Sequence, residues 1–343
     1  MKPLLNTLFV TSPKSYISQE GDQIIVTVDK EERIRIPIHT LQSVICFGPV
    51  MVTPFVVHLA AESAVGFAFL SENGKFLARV DGPVRGNVLL RRAQYRHADD
   101  PAASAQAARA FVIAKLANSR TVLQRALRDH SPTIAEEGIA ASIKSIARVA
   151  ERLQNTHDID QLRGHEGEAA DHYFRSFDHL IVTQKEDFKF ERRSRRPPLD
   201  RINALLSFVY TLLVHDIQSA LEAVGLDPAV GFLHADRPGR PSLALDMMEE
   251  MRPLLADRLV LSLINRQQIT AKDFQTTESG AILLTDKGRR EVLTTWQKRK
   301  QEEITHPWLG EKMPMGLIPH AQAILLARYL RRDYDAYPAF IWK

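Results

Sequence analysis

GKFLARVDGPVRGNVLLRRAQYRHADD, residues 74–100, holds the change of hydrophobic period that decides the fold. Before it the chain reads as short segments rich in Val, Ile, Phe and Thr: TLFVTS (7–12), YISQEGDQIIVTVD (16–29), ERIRIPI (32–38), SVICFG (43–48), VGFAFLS (65–71) and GKFLARVDG (74–82). Such residues suit a pleated, half-buried surface, and the turn signals EGD (20–22) and ENG (72–74) separate the runs, so these are strands. QIIVTVDKEERIRIPI (23–38) alternates as a half-buried hairpin does. TPFVVHLAAES (53–63) interrupts them as a helix with Thr53 at its N-cap. After DGPVRGN (81–87) the apolar spacing becomes three and four: residues 89–130 are alanine-rich and helical, and the pattern returns at 139–155, 164–182, 200–224, 243–265, 281–303 and 319–332. The expected fold is α+β, with a β-rich domain over 1–86 and a larger all-α domain over 87–343.

The totals agree. A chain of 343 residues exceeds the usual size of one core, and 45% hydrophobic with 25% charged residues is an ordinary globular composition. The net charge of +4 permits a nucleic-acid partner without demanding one. The single cysteine, Cys46, supplies neither a disulfide nor a thiolate cluster; it reads as a buried structural thiol and suits a reducing cytoplasm. No signal peptide and no membrane-spanning run is legible, so a soluble, cytoplasmic protein without a membrane partner is expected. The P-loop pattern GxxxxGKS/T is absent, which argues against a nucleotide cofactor, as are GxSxG and HExxH.

Three stretches carry chemistry. GFLHADRPGRPSLALDMMEE (231–250) puts His234 in a loop broken by Pro and Gly, with Asp246, Glu249 and Glu250 three and four apart on the helix that follows, so that they share one face. Carboxylates so crowded repel unless solvent or a cation relieves them. A solvated acidic face is the plain reading; the apolar setting of SLALDMMEEMRPLLADRL (242–259) and the imidazole one loop upstream favour half of a metal site. Oxygen donors with one imidazole and no thiolate suit Mn²⁺ or Mg²⁺. Pro253 is expected to kink or end this helix. In LRGHEGEAADHYF (162–174), Glu166 stands between Gly164 and Gly167 at the start of a predicted helix, either as a second ligand with room for close approach or as a first-turn carboxylate favoured by the helix dipole. In FKFERRSRRPPLDRINALLSFVY (188–210), the basic residues Lys189, Arg192, Arg193, Arg195 and Arg196 interleave with Phe188 and Phe190 ahead of two prolines, a cationic patch suited to phosphate oxygens. Lys115, Arg120, Arg125 and Arg128 either extend that track or are solvated, and the aromatic tail DYDAYPAFIWK (333–343) either packs down or meets a partner.

Taken in order, KLANSRTVLQR (115–125), LRGHEGEAADHYF (162–174), RRSRRPPLDRINALLSFVYTLL (192–213) and GFLHADRPGRPSLALDMMEEMRP (231–253) resemble the CRISPR-associated endonuclease/integrase family, the larger catalytic subunit of the spacer-acquisition machinery, most like the versions of type I systems, subtype C. With the β-then-α order, the resemblance covers essentially the whole chain. It implies an N-terminal β-sandwich, a helical C-terminal domain and a homodimer formed through the β domain. It implies Mn²⁺ or Mg²⁺ held by Glu166, His234 and Glu249, the last standing where many relatives carry Asp, with Asp246 as an auxiliary carboxylate. His234 either ligates the ion or protonates the leaving oxygen. The implied activity is metal-dependent insertion of captured DNA into a CRISPR repeat array by 3′-hydroxyl attack, acting on double-stranded and branched DNA held by Lys189 and Arg192–Arg196. A smaller adaptation subunit would bridge two dimers into a hetero-hexamer. A structure-selective nuclease on branched DNA and a non-catalytic nucleic-acid-binding scaffold are the rival readings.

Overall fold

The computed structural model describes residues 6–72, 76–80, 88–130, 135–194 and 197–342; the predicted boundary at 81–87 lies outside them. Eight strands come first: β1 (Thr7–Val10), β2 (Ser15–Glu20), β3 (Gln23–Val28), β4 (Glu31–Pro37), β5 (Ser43–Phe47), β6 (Met51–Val52), β7 (Gly66–Leu70) and β8 (Phe76–Val80). The predicted helix is α1 (Pro54–Glu62), and Thr53 caps it by accepting from Val56 N at 3.4 Å. The strands form two four-stranded sheets in the orders β1-β5-β7-β8 and β4-β3-β2-β6. The hairpin predicted over 23–38 is β3–β4, and β2 extends it into an antiparallel meander, whereas β1, β5 and β7 run parallel. Leu8, Val10, Val44, Cys46 and Phe67 of one sheet pack with Ile17, Ile24 and Val26 of the other and with Val56 and Ala60 of α1, giving the expected sandwich. Burial pushes the Cys46 thiol up to about 12, a structural thiol and not a nucleophile.

All five residues of β5 are buried. Val44 and Cys46 face the sandwich, while Ile45 and Phe47 join the helical core, where Phe47 meets Phe208 with ring centroids 6.0 Å apart. A strand covered on both faces reads as a continuous apolar run rather than an alternation.

The helices are α2 (Val88–Asp99), α3 (Pro101–His130), α4 (Glu136–Leu153), α5 (Ile159–Arg175), α6 (Arg201–Val224), α7 (Ser242–Arg252), α8 (Arg258–Asn265), α9 (Asp286–Gln301) and α10 (Ile318–Leu330). The continuous helix expected over 89–130 breaks at Asp100–Pro101. Asp100 Oδ1 accepts from Ala102 N at 2.9 Å, and Pro101 opens α3 where its missing N–H is harmless. Asp200 caps α6 and Gly225, with φ of +92°, ends it. Among the described residues α6 is the one helix long and apolar enough to cross a membrane; its Leu205, Leu206, Val209, Leu213 and Ile217 are buried in the core. Pro253 does end α7, yet the chain continues through one wide π turn, Pro253–Asp257, into α8. The helix expected over 281–303 opens instead as a strand, β10 (Ile282–Leu284), hydrogen-bonded to β9 (Phe274–Thr276) before α9 begins. A second hairpin pairs β11 (Glu303–Thr305) with β12 (Lys312–Pro314), so the helical half is not purely helical.

Candidate active site

The loop 226–241 carries the chain from α6 to α7 and is pinned by a residue the sequence reading did not single out. Buried Gln94 on α2 donates to Asp227 O (2.7 Å) and Val230 O (2.8 Å) and accepts from Asp227 N (2.9 Å). Asp246, fully buried on α7, accepts backbone N–H groups from Phe232 (2.6 Å), Leu233 (3.0 Å) and His234 (3.0 Å). Its Oδ1 also lies 2.7 Å from His234 Nδ1. An ionised carboxylate can only accept, so Nδ1 keeps its proton and donates it to Oδ1 in a hydrogen bond, which leaves the Nε2 lone pair for a ligand or a proton. The approach requires glycine at 231, because a Cβ would fall 2.7 Å from Asp246 Oδ2 and 2.8 Å from the Ser242 carbonyl carbon. A cavity of about 360 Å³ opens beside His234, lined also by Tyr95, Asp99, Arg163 and Asp236.

Glu166 sits within α5, not at its start: Asp158 caps that helix by accepting from Gln161 N at 2.8 Å. The hydrophobic spacing alone missed the first turns, which are polar. A Cβ on Gly164 or Gly167 would meet nothing within 4 Å, so this flank is open as expected. Arg163 donates Nε to Leu233 O at 2.7 Å and ties α5 to the His234 loop.

Between Glu166 and Glu249 stands Lys115 of α3. Its buried ammonium is ion-paired with Glu166 Oε1 and lies 2.7 Å from Glu249 Oε2. Arg252 approaches Glu249 as well, at 3.1 Å and 3.4 Å. Burial works to raise the Glu249 pKa, but Arg252, Lys115 and His234 outweigh it and hold the carboxylate down to about 2. Arg252 also lies 5.3 Å over the Tyr210 ring, and Tyr210 donates to Asp257 at 2.6 Å, with Tyr173 at 3.1 Å. The π turn delivers Asp257 to both hydroxyls.

Among the described residues, no three His, Cys, Asp or Glu side chains meet at one point as they stand. The site nonetheless fits a divalent cation. Carboxylates from two helices already converge on one positive charge, the flank is open, and the hydrogen bond to Asp246 leaves His234 Nε2 to offer its lone pair. Of the basic residues Lys115, Arg120, Arg125 and Arg128, Lys115 is 3% exposed and Arg125 lies 3.7 Å over the Trp342 ring, while Arg128 is exposed, so the four do not form one solvated stripe. The signal for Lys115 is its setting: a lone cation in the apolar FVIAKLAN (111–118) needs a buried anion.

The three α7 carboxylates do not share a face in the way their spacing suggested. Asp246 faces the loop, Glu249 the cations, and Glu250 the C-terminal tail. Glu250 accepts from Tyr337 Oη (2.6 Å) and Phe340 N (2.7 Å). Asn118 on α3 donates to Glu250 O (2.6 Å) and Phe340 O (2.8 Å), and its Oδ1 accepts from Trp342 N (2.7 Å). The tail therefore packs down. Burial raises the Glu250 pKa to about 7, against the hydrogen bonds it receives. Repulsion on α7 is relieved by separate partners for each carboxylate, and no added ion is needed to explain the sequence.

The basic loop is divided too. Lys189 and Arg192 are exposed, whereas Arg193 turns inward to Asn203 Oδ1 (2.5 Å), Ser207 Oγ (3.3 Å) and the Tyr210 ring. Arg195 and Arg196 lie outside the described residues. Phe188 and Phe190 are core residues, packed on Phe274 and on Phe174 and Phe177, and do not interleave with the cations at the surface.

A sequence profile of the family described as CRISPR associated protein Cas1 matches residues 8–298. The chain is 55% identical over 343 residues, the full length of both, to CRISPR-associated endonuclease Cas1 1 of Chlorobaculum tepidum. Its fold is similar to that of a casposase bound to an integration product, with a TM-score of 0.82 and 23% identity over 98% of this chain and 94% of that one. It is equally similar to a chain of a Cas6-RT-Cas1–Cas2 complex, with a TM-score of 0.83 and 22% identity over 98% of this chain and 36% of that one. A profile that runs through both halves, together with identity at more than every second position from end to end, leaves one conclusion: the chain belongs to the Cas1 family of CRISPR-associated proteins.

Proposed function

We propose that this chain is a divalent-metal-dependent DNA endonuclease and integrase that inserts captured DNA into a CRISPR repeat array. The observation that carries the reading is the convergence of Glu166 and Glu249 on one positive charge beside an imidazole oriented by Asp246. Bound by Glu166, Glu249 and His234, Mn²⁺ or Mg²⁺ would supply Lewis-acid polarisation of a phosphodiester oxygen. Asp246 fixes the His234 ring, Arg252 keeps Glu249 ionised, and Arg163 holds the His234 loop against α5. In the reaction the 3′-oxygen of the captured fragment bonds to phosphorus as the bond from phosphorus to the repeat strand's 3′-oxygen breaks. The attacking hydroxyl loses a proton and the departing oxygen gains one. One phosphodiester forms for each one broken, so no triphosphate is consumed, in keeping with the missing P-loop. With water as the attacking group the same arrangement hydrolyses DNA.

Lys189 and Arg192, with Arg195 and Arg196, neutralise the DNA backbone, and Arg193 anchors their loop. Tyr16, Met51 and Phe55, exposed on the β half, support a homodimer through that face. The Cas1–Cas2 assembly among the structural neighbours supports a smaller adaptation subunit as partner.

The test is strand transfer of a duplex with 3′-hydroxyl ends into a supercoiled plasmid bearing a repeat array. Transfer should require Mn²⁺ or Mg²⁺ and Glu166, His234 and Glu249. Full transfer in EDTA, or cleavage of branched DNA with no joining at repeats, would overturn the proposal.

A further inference from the structure

We infer that Lys115 is the resident cation of this site in the metal-free protein and that a divalent ion enters by displacing it. The inference rests on the metal-dependent reading above and adds a residue to it.

A lysine is almost never buried unless paired, and the Lys115 side chain, 4% exposed, is paired twice, with carboxylates from two different helices. Those helices, α5 and α7, both pack on α3, which carries the lysine. Remove the ammonium and Glu249 keeps Arg252 at 3.1 Å, while Glu166, its side chain 25% exposed, loses a partner and faces the buried Glu249 carboxylate. Lys115 thus lets the site fold without metal.

The same contact opposes metal. An ammonium has three donors and no acceptor, so it cannot join a coordination shell. A divalent ion on the same oxygens would stand close to a like charge, at a range where repulsion is strong in a half-buried site. Arg252 lies on the other side of Glu249 and is braced by Tyr210, so the group that must yield is the lysine, a compact charge on a flexible stem. Affinity for the ion is therefore set by exchange against an internal charge. A weakly bound or monovalent ion cannot complete that exchange.

The experiment uses the full-length protein and Mn²⁺ alone, followed by calorimetric titration and thermal unfolding. Lys115→Met should bind Mn²⁺ more tightly by about tenfold or more, the scale of one ion-pair exchange removed from the equilibrium. It should also melt lower than wild type in EDTA and gain more from Mn²⁺ than wild type does. Lys115→Arg, which keeps the charge, should show no such gain in affinity. In wild type, acylation read by mass spectrometry should find Lys115 protected in EDTA and labelled once Mn²⁺ is bound; this measurement decides the matter if Lys115→Met does not fold. Equal Mn²⁺ affinity in wild type and Lys115→Met, or continued protection of Lys115 in the Mn²⁺-bound protein, overturns the inference while the metal-dependent reading stands. Absence of Mn²⁺ binding in both overturns the reading and the inference together.

Discussion

Glu249 and Glu250 are adjacent on α7 and both are buried, yet their carboxyls are driven in opposite directions, to about 2 and to about 7. One faces Lys115 and Arg252; the other faces the Gln322 amide of α10 and, from the tail, the Tyr337 phenol and the Phe340 backbone N–H. Burial is common to both, so the difference comes from formal positive charge on one side and neutral donors on the other. One side of the helix is built to carry charge, and the other to be sealed.

The sharpest way to break this comparison is to neutralise each residue in turn. Glu249→Gln should lower strand transfer by about 10³-fold, the scale of losing one preorganised electrostatic group, with the tail still packed. Glu250→Gln should retain most activity, and an equal loss in both variants would erase the distinction between the two sides. Next in size, Glu250→Ala strands the Tyr337 hydroxyl and the Phe340 N–H and should cost about 3 kcal/mol of stability, read from urea unfolding. Loss of under about 1 kcal/mol would mean that the tail is not held there.

The contrast between paired and merely buried groups extends to His215, at the seam between the first sheet and α6. Burial lowers its pKa to about 4, with Arg79 adding to that and Asp216 opposing it. The folded value lies below the unfolded one near 6.5, so the folded protein binds fewer protons between them. This contribution is complete above about pH 6.5 and is lost as the pH falls toward about 4, amounting to about 3 kcal/mol. His215→Gln should flatten that part of the curve of stability against pH; an unchanged slope would assign it elsewhere. The smallest effect belongs to the exposed cations. Lys189→Ala with Arg192→Ala should weaken DNA binding and reduce the slope of log affinity against log salt by about one to two, leaving melting unchanged.

Much of this was legible in the chain. The change of period near residue 80, the α1 cap at Thr53 and the stop at Pro253 all rest on local chemistry. Asp246 and Glu249 stood out because charge in an apolar run must be answered by something, His234 as the imidazole one loop upstream, and Glu166 by the glycines on either side of it. What answers it was not legible. Spacing of three and four said that Asp246, Glu249 and Glu250 share a face, but partners from α3, the 226–241 loop and the tail draw them apart. Lys115 answers Glu166 across 51 positions of sequence, a separation over which no helical or strand period carries information. Phe188 and Phe190 looked like part of a surface patch because they alternate with cations; tertiary packing took the rings and left the charges outside. The two late hairpins have strands of three residues each, too short to show an alternation.

β5 has a consequence for anyone dividing the molecule. Its Val44 and Cys46 close the sandwich while Ile45 and Phe47 line the helical half, and Leu70 on β7 joins them. The strand is a party wall. A fragment ending at residue 86 would keep every hydrogen bond of its sheets and still present a naked apolar surface where α6 had been. Any excised version of that half needs those three side chains made polar before it is asked to stay in solution.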